Sequence, residues 1–106
     1  MGKYLVMASY TADGAKGLMK DGSTKRKQAA EQVIKSVGGT LEAFYFAFGE
    51  SDAYVIIDAP DQASAAAASL AINASGAVTT RTVVLLTPED IDQAITKHPT
   101  YRAPGQ

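Results

Sequence analysis

The apolar positions of this chain fall into short runs and helically spaced sets, and their order predicts an architecture. Lys3 to Ser9 is a short apolar run rich in strand formers, which by its length reads as a buried strand rather than a helix. Tyr10 to Gly22 carries Gly14, Gly17 and Gly22 and reads as a long loop, with room for one helical turn around Gly17 to Lys20. Ser23 or Thr24 then caps a helix to about Val37. Ala29 or Ala30, Val33 and Val37 recur there at helical spacing, and Gly38-Gly39 supplies the stop.

Thr40 to Phe48, dense in aromatics, and Ala53 to Ala59 read as a hairpin about the turn Gly49-Glu50-Ser51-Asp52. Pro60 and Asp61 open a second helix, Asp61 to about Ala74, whose alanines favour the helix and let it approach a sheet closely. Val78 to Leu86 is a fourth strand. Thr87 caps a short third helix from Pro88, with Glu89 and Asp90 in its first turn, where the helix dipole favours anions. The order is strand, helix, strand, strand, helix, strand, then a short helix. That is the split strand-helix-strand arrangement of ferredoxin-like α+β folds: a four-stranded antiparallel sheet with both main helices on one face. A domain over residues 1–97 and a tail over 98–106, loosely held unless a partner docks it, are the expected divisions.

A sheet covered on one face should alternate apolar and polar, yet these strands stay apolar on both. Strict alternation puts Glu42, Phe44, Phe46 and Phe48 on one face and Leu41, Ala43, Tyr45 and Ala47 on the other. Likewise Ala53, Val55 and Ile57 oppose Tyr54 and Ile56, and Val83 and Leu85 oppose Val84 and Leu86. Helices can cover one of these sets. The other is an exposed apolar surface, so two chains are expected to pack sheet to sheet.

Composition narrows the chemistry. The chain has 106 residues, no cysteine, one histidine and a formal net charge of -1. Disulfides, thiolate ligands and thiol nucleophiles are excluded, and the usual zinc constellations lack their histidines. A nucleic-acid partner wants a basic domain, and a cofactor has no evident ligand set. The apolar stretch at the N-terminus is too short for a signal-peptide core or a membrane span, so the chain reads as cytoplasmic.

Gly17 to Thr24 nearly spells a phosphate-binding loop, but Ser23 stands where its lysine should be. An anion could still bind at the start of the first helix, near Lys25, Arg26 and Lys27, although a solvated basic helix start accounts for the same residues. Asp52 either bonds nearby backbone N–H groups in its turn or faces a pocket as a base, and Asp58 is equally ambiguous. Arg81 either pairs with Glu42 across a dimer interface or guards an edge strand. His98 is a tail residue unless it folds over a pocket, as a haem ligand would. Tyr4, Tyr10, Tyr45 and Tyr54 are core residues or pocket walls.

The stretch Phe48-Gly49-Glu50-Ser51-Asp52, continuing through Ala53 to Ile57, Asp58, Ala59, Pro60 and Asp61, resembles the defining segment of the GYD domain family, small bacterial and archaeal proteins. The Thr11 to Gly17 segment, the Gly38-Gly39 helix end and the Thr79 to Val83 strand extend the likeness to about Pro88. Gly49 and Asp52 match the family's G-x-Y-D motif; Ser51 replaces its tyrosine, with Tyr45 or Tyr54 available for similar space. The resemblance implies a ferredoxin-like protomer that assembles as a dimeric α+β barrel, without an established activity. Two functional expectations stand side by side. One is a homo-oligomeric small-ligand-binding or assembly module, with Tyr45, Asp52 and Tyr54 as candidate ligand-binding residues. The other is a cofactor-free enzyme acting on a small substrate, aromatic ones included, between sheet and helices, by analogy with monooxygenases and isomerases of related fold.

Overall fold

A computed structural model describes residues 2–106. Its elements are β1 (Gly2–Tyr10), α1 (Ala12–Asp21), α2 (Ser23–Ser36), β2 (Thr40–Phe46), β3 (Ala53–Ala59), α3 (Gln62–Ala74), β4 (Val78–Leu85) and α4 (Pro88–Ile95). The strands lie in the order β2-β3-β1-β4, every neighbouring pair antiparallel, which is the ferredoxin-like α+β arrangement. The alternation along β1 and β3 sends Tyr4, Val6 and Ala8 and, beside them, Val55, Ile57 and Ala59 to one face. There all but Ala8 pack with Ile34 of α2 and Ala65 and Ala68 of α3, while Ala8 packs with Ala53 and Val78. Each buried valine or isoleucine among them contributes roughly 1.5–3 kcal/mol.

The small residues of α3 let it lie close to the sheet, and polar groups fix its distance from β4. Asn73 donates through Nδ2 to Thr80 Oγ1 (3.0 Å) and accepts from the Thr80 backbone N–H (2.8 Å). The Ser69 and Thr82 hydroxyls share a hydrogen bond at 3.3 Å. At the other end of α3 the Asp61 carboxylate caps the Ser64 N–H at 2.7 Å. That contact holds the Asp61 carboxyl below its ordinary range.

Two sequence expectations are corrected. The glycine-rich segment after β1 is a helix, α1, rather than a loop. Thr11 caps it by accepting from the Gly14 N–H (3.2 Å), and the Thr11 N–H donates to the Ala77 carbonyl (3.0 Å), tying the helix start to the strand entering β4. Gly14 is required by that closeness. A Cβ there would stand 1.9 Å from the Ala77 carbonyl oxygen, so a residue that weakens the helix locally is the one that fits.

The second correction concerns β2. The register shifts between Leu41 and Ala43, so Glu42 is an extra residue in a β-bulge. Leu41 and Phe44 therefore both pack on the helix-side core, and strict alternation fails. Phe46 falls on the same side, opposite Ala53, its ring 5.1 Å edge-on from that of Phe44. The strand also ends at Phe46, leaving Phe48 exposed in the loop.

The bulge puts Glu42 beside Lys3, whose Nζ lies 2.7 Å from Glu42 Oε2 and 3.4 Å from Asp58 Oδ2. Glu42 is thus engaged within the chain, and Arg81 lies exposed on the edge strand β4, in register with Met7. The bond to Glu42, and secondarily that to Asp58, raises the Lys3 ammonium above its ordinary value despite some desolvation.

Beyond β4 the chain leaves the body. Its radius of gyration, 16.9 Å, exceeds the roughly 13 Å of a compact chain of this length, and its longest extent is 57 Å. No residue of α4 is buried, and the tail from His98 is exposed throughout.

Candidate functional site

The C-terminal end of β1, the start of α2, the end of α3 and the start of β4 converge at one edge of the molecule, and three recesses open there. The innermost, about 40 Å³, lies between the sheet and the two helices α2 and α3. Val6, Val55, Ala30, Ile34, Ala68 and Ile72 are among its apolar walls. Four of its lining side chains are polar: Tyr10, Arg26, Ser69 and Thr80. Ser69 and Thr80 are already engaged in joining α3 to β4. The uncommitted groups are Tyr10 and Arg26, both half-buried.

The phenol and the guanidinium are neighbours. Burial pushes the Tyr10 hydroxyl above its ordinary pKa, and the nearby positive charge of Arg26 acts against that rise without cancelling it. Tyr10 is therefore a neutral donor at physiological pH. Arg26 forms no ion pair among the described residues, although it lines a mostly apolar cavity. Lys25 and Lys27, on either side of it, are exposed. The basic run is thus two solvated lysines flanking one arginine that lines a cavity.

Tyr10 and Arg26 also line the second recess, about 170 Å³, where Asp13, Asp21 and Lys25 join them. Tyr10 lines the third as well, about 410 Å³, with Phe46, Phe48 and Asp52. Tyr10 thus stands where the three meet.

The residues singled out from the sequence are not gathered around one cavity. Tyr45 and Tyr54 are cross-strand partners on the sheet face away from the helices, and neither lines any of the three recesses. Asp52 continues the ladder beyond β3: its N–H donates to the Ala8 carbonyl and its own carbonyl accepts from Ala47, each at 2.8 Å. Its carboxylate accepts the Tyr10 backbone N–H at 2.8 Å. Asp52 therefore holds the end of β1 in place, and with it the Tyr10 side chain. Arg26, which completes the pair, was visible in the sequence only as one cation of a basic run.

The remaining motifs resolve similarly. Gly17 to Asp21 belongs to α1 and Gly22 separates α1 from α2, so the stretch that resembles a phosphate-binding loop is helix, glycine, helix. His98, with φ of 46°, lies exposed beyond α4 and lines none of the three recesses. Among the described residues no three His, Asp or Glu side chains come together as a metal site, and no helix is long and apolar enough to cross a membrane.

Ser51, at the position of the signature tyrosine, is 1% exposed, and its Oγ has no hydrogen-bond partner among the described residues. An unpartnered buried hydroxyl costs about 1–3 kcal/mol. The Ser51→Ala variant is therefore expected to be more stable by about 1 kcal/mol, seen as a rise of about 5 °C in Tm. A fall in Tm would show that the hydroxyl is satisfied.

Searches of curated proteins and of solved structures found no match to this chain. The family model of the GYD domain matches residues 4–95, which takes in β1 from Tyr4 on, the other three strands, the three helices around the recesses and α4. With most of its length and nearly all of its sheet inside that match, the chain belongs to the GYD domain family.

Proposed function

We propose that this protein is a homodimeric small-ligand-binding module, in which two copies bury their open sheet faces against each other and each keeps a cavity between its sheet and helices. The observation that carries the reading is the open face itself. Leu5 and Met7 of β1, Tyr45 of β2, Ile56 of β3, and Val83 and Leu85 of β4 occupy it without a covering element. A surface of this kind marks an interface, and a self-complementary two-fold packing satisfies it with one chain type.

Area supports a role for the arm beyond β4. Four strands spaced about 4.8 Å, each of about seven residues rising about 3.3 Å, present a flat footprint of roughly 450 Å², against about 800 Å² per partner in a standard interface. The arm supplies further apolar surface: Leu86, Ile91 and Ile95 are 62%, 45% and 63% exposed. Eight residues are too few for a helix to stand alone in water. Yet α4 has proline in its first turn and a complete capping box between Thr87 and Asp90. A helix so well started and so little packed fits one that completes its burial on the second copy.

Light scattering checks this. The expected molar mass is twice the 11.1 kDa of the chain at micromolar concentration. A mass of one chain at 100 µM, on the order of the weakest specific association, would overturn the dimer.

A further inference from the structure

We propose that the cavity between sheet, α2 and α3 binds a small monocarboxylate with a short unbranched apolar chain, its carboxylate held by Arg26 and the Tyr10 hydroxyl. This rests on the small-ligand-binding reading above and names the ligand class.

The size of the cavity sets the chain. A cavity of about 150 Å³ lined by apolar side chains accepts benzene. At the same ratio of roughly 25 Å³ per carbon, the 40 Å³ here holds about two carbons at the end of an extended chain and excludes a ring. The wall chemistry sets the tail. Alanine, valine and isoleucine side chains surround that space, and its two other polar side chains, Ser69 and Thr80, already have partners.

The mouth sets the head group. A half-buried guanidinium without a carboxylate partner gains most from an anion with two oxygens in its plane, and a neighbouring neutral phenol donates to one of them. The adjoining 170 Å³ recess has room for that head group. Asp13 and Asp21 line the same recess and offset Lys25, so the site favours a single negative charge over a dianion such as phosphate.

The test is an amide NMR titration of the intact protein with sodium butyrate, alongside 1-butanol and inorganic phosphate. Butyrate is expected to give saturable shifts at Val6, Tyr10, Arg26, Ala30 and Val78, with a Kd at least about tenfold below that of butanol. Arg26→Met, which keeps the aliphatic stem, is expected to weaken butyrate at least about tenfold and leave butanol unchanged. Arg26→Lys recovers part of the loss, and Lys27→Met at an exposed position changes nothing. Equal binding of butyrate and butanol, insensitive to Arg26, would overturn the carboxylate assignment and leave a ligand cavity standing. Stronger binding of phosphate at the same residues would overturn the single-charge argument. Saturation by none of the three, in a protein that still scatters as a dimer, would overturn the cavity as a ligand site without touching the dimer.

Discussion

Replacing Gly14 by alanine is expected to lower the unfolding free energy by about 3 kcal/mol, the upper end of what overpacking costs. In most helices the same change would stabilise, because alanine is the better helix former by about 1 kcal/mol. Here the added carbon would stand 1.9 Å from the Ala77 carbonyl oxygen and 2.9 Å from the carbonyl carbon, both backbone atoms. Neither can turn away like a side chain. The Ala77 oxygen also accepts the Thr11 N–H at 3.0 Å and lies 3.2 Å from the Thr11 hydroxyl, so moving it would strain the cap of α1 as well. Urea denaturation at equilibrium reads the effect. Gly17→Ala, where an added Cβ meets nothing within 4 Å, is the control and is expected to be neutral or stabilising. Equal behaviour of the two variants would mean that α1 does not approach β4 as described.

The second large effect is expected at the open face. Ile56 lies on β3, in register with Leu5 on one side and Ala43 on the other, near the middle of the surface proposed to meet its copy. Ile56→Lys places an ammonium there, and two-fold symmetry brings its equivalent close by. Leaving such a charge buried without a partner costs several kcal/mol, so self-association is expected to weaken at least about a hundredfold. The position is only partly buried in the single chain, so the variant is expected to keep its secondary structure. Sedimentation together with far-ultraviolet circular dichroism separates the outcomes. A folded monomer supports the interface; a folded dimer of unchanged affinity would place it elsewhere.

Most of the fold is legible along the chain because two signals agree. In α2 the helical spacing of Ala30 and Val33 coincides with the Gly38-Gly39 stop, and in β3 a buried run sits between turn chemistry and Pro60. Where signals disagree, the pattern misleads for identifiable reasons. Gly14 and Gly17 argue against α1 by propensity, and only the contact with Ala77, 63 positions after Gly14 in the chain, explains why glycine is needed. The bulge at Glu42 leaves no trace in a strand that is apolar on both faces, since an inserted residue is visible only when it breaks an alternation. Asp52 has the turn residue's habit of bonding backbone N–H groups, but the group it finds is that of Tyr10, from another strand.

The candidate site was less legible. Tyr10 and Arg26 come from different elements and touch only once α2 is folded onto the sheet, so no spacing announces the pair. Tyr45 and Tyr54 attract notice as aromatics, yet their place on the face away from the helices follows from strand register. That placement puts them on the surface proposed to be shared between copies.

The most direct test of that surface is an isotope-filtered NOE experiment on protein mixed from labelled and unlabelled chains. Cross-peaks between copies are expected from the methyl groups of Leu5, Ile56 and Val83 and from the rings of Tyr45 and Tyr54. A dimer whose intermolecular contacts instead come only from α2 and α3, with the open-face methyls silent, would contradict the account.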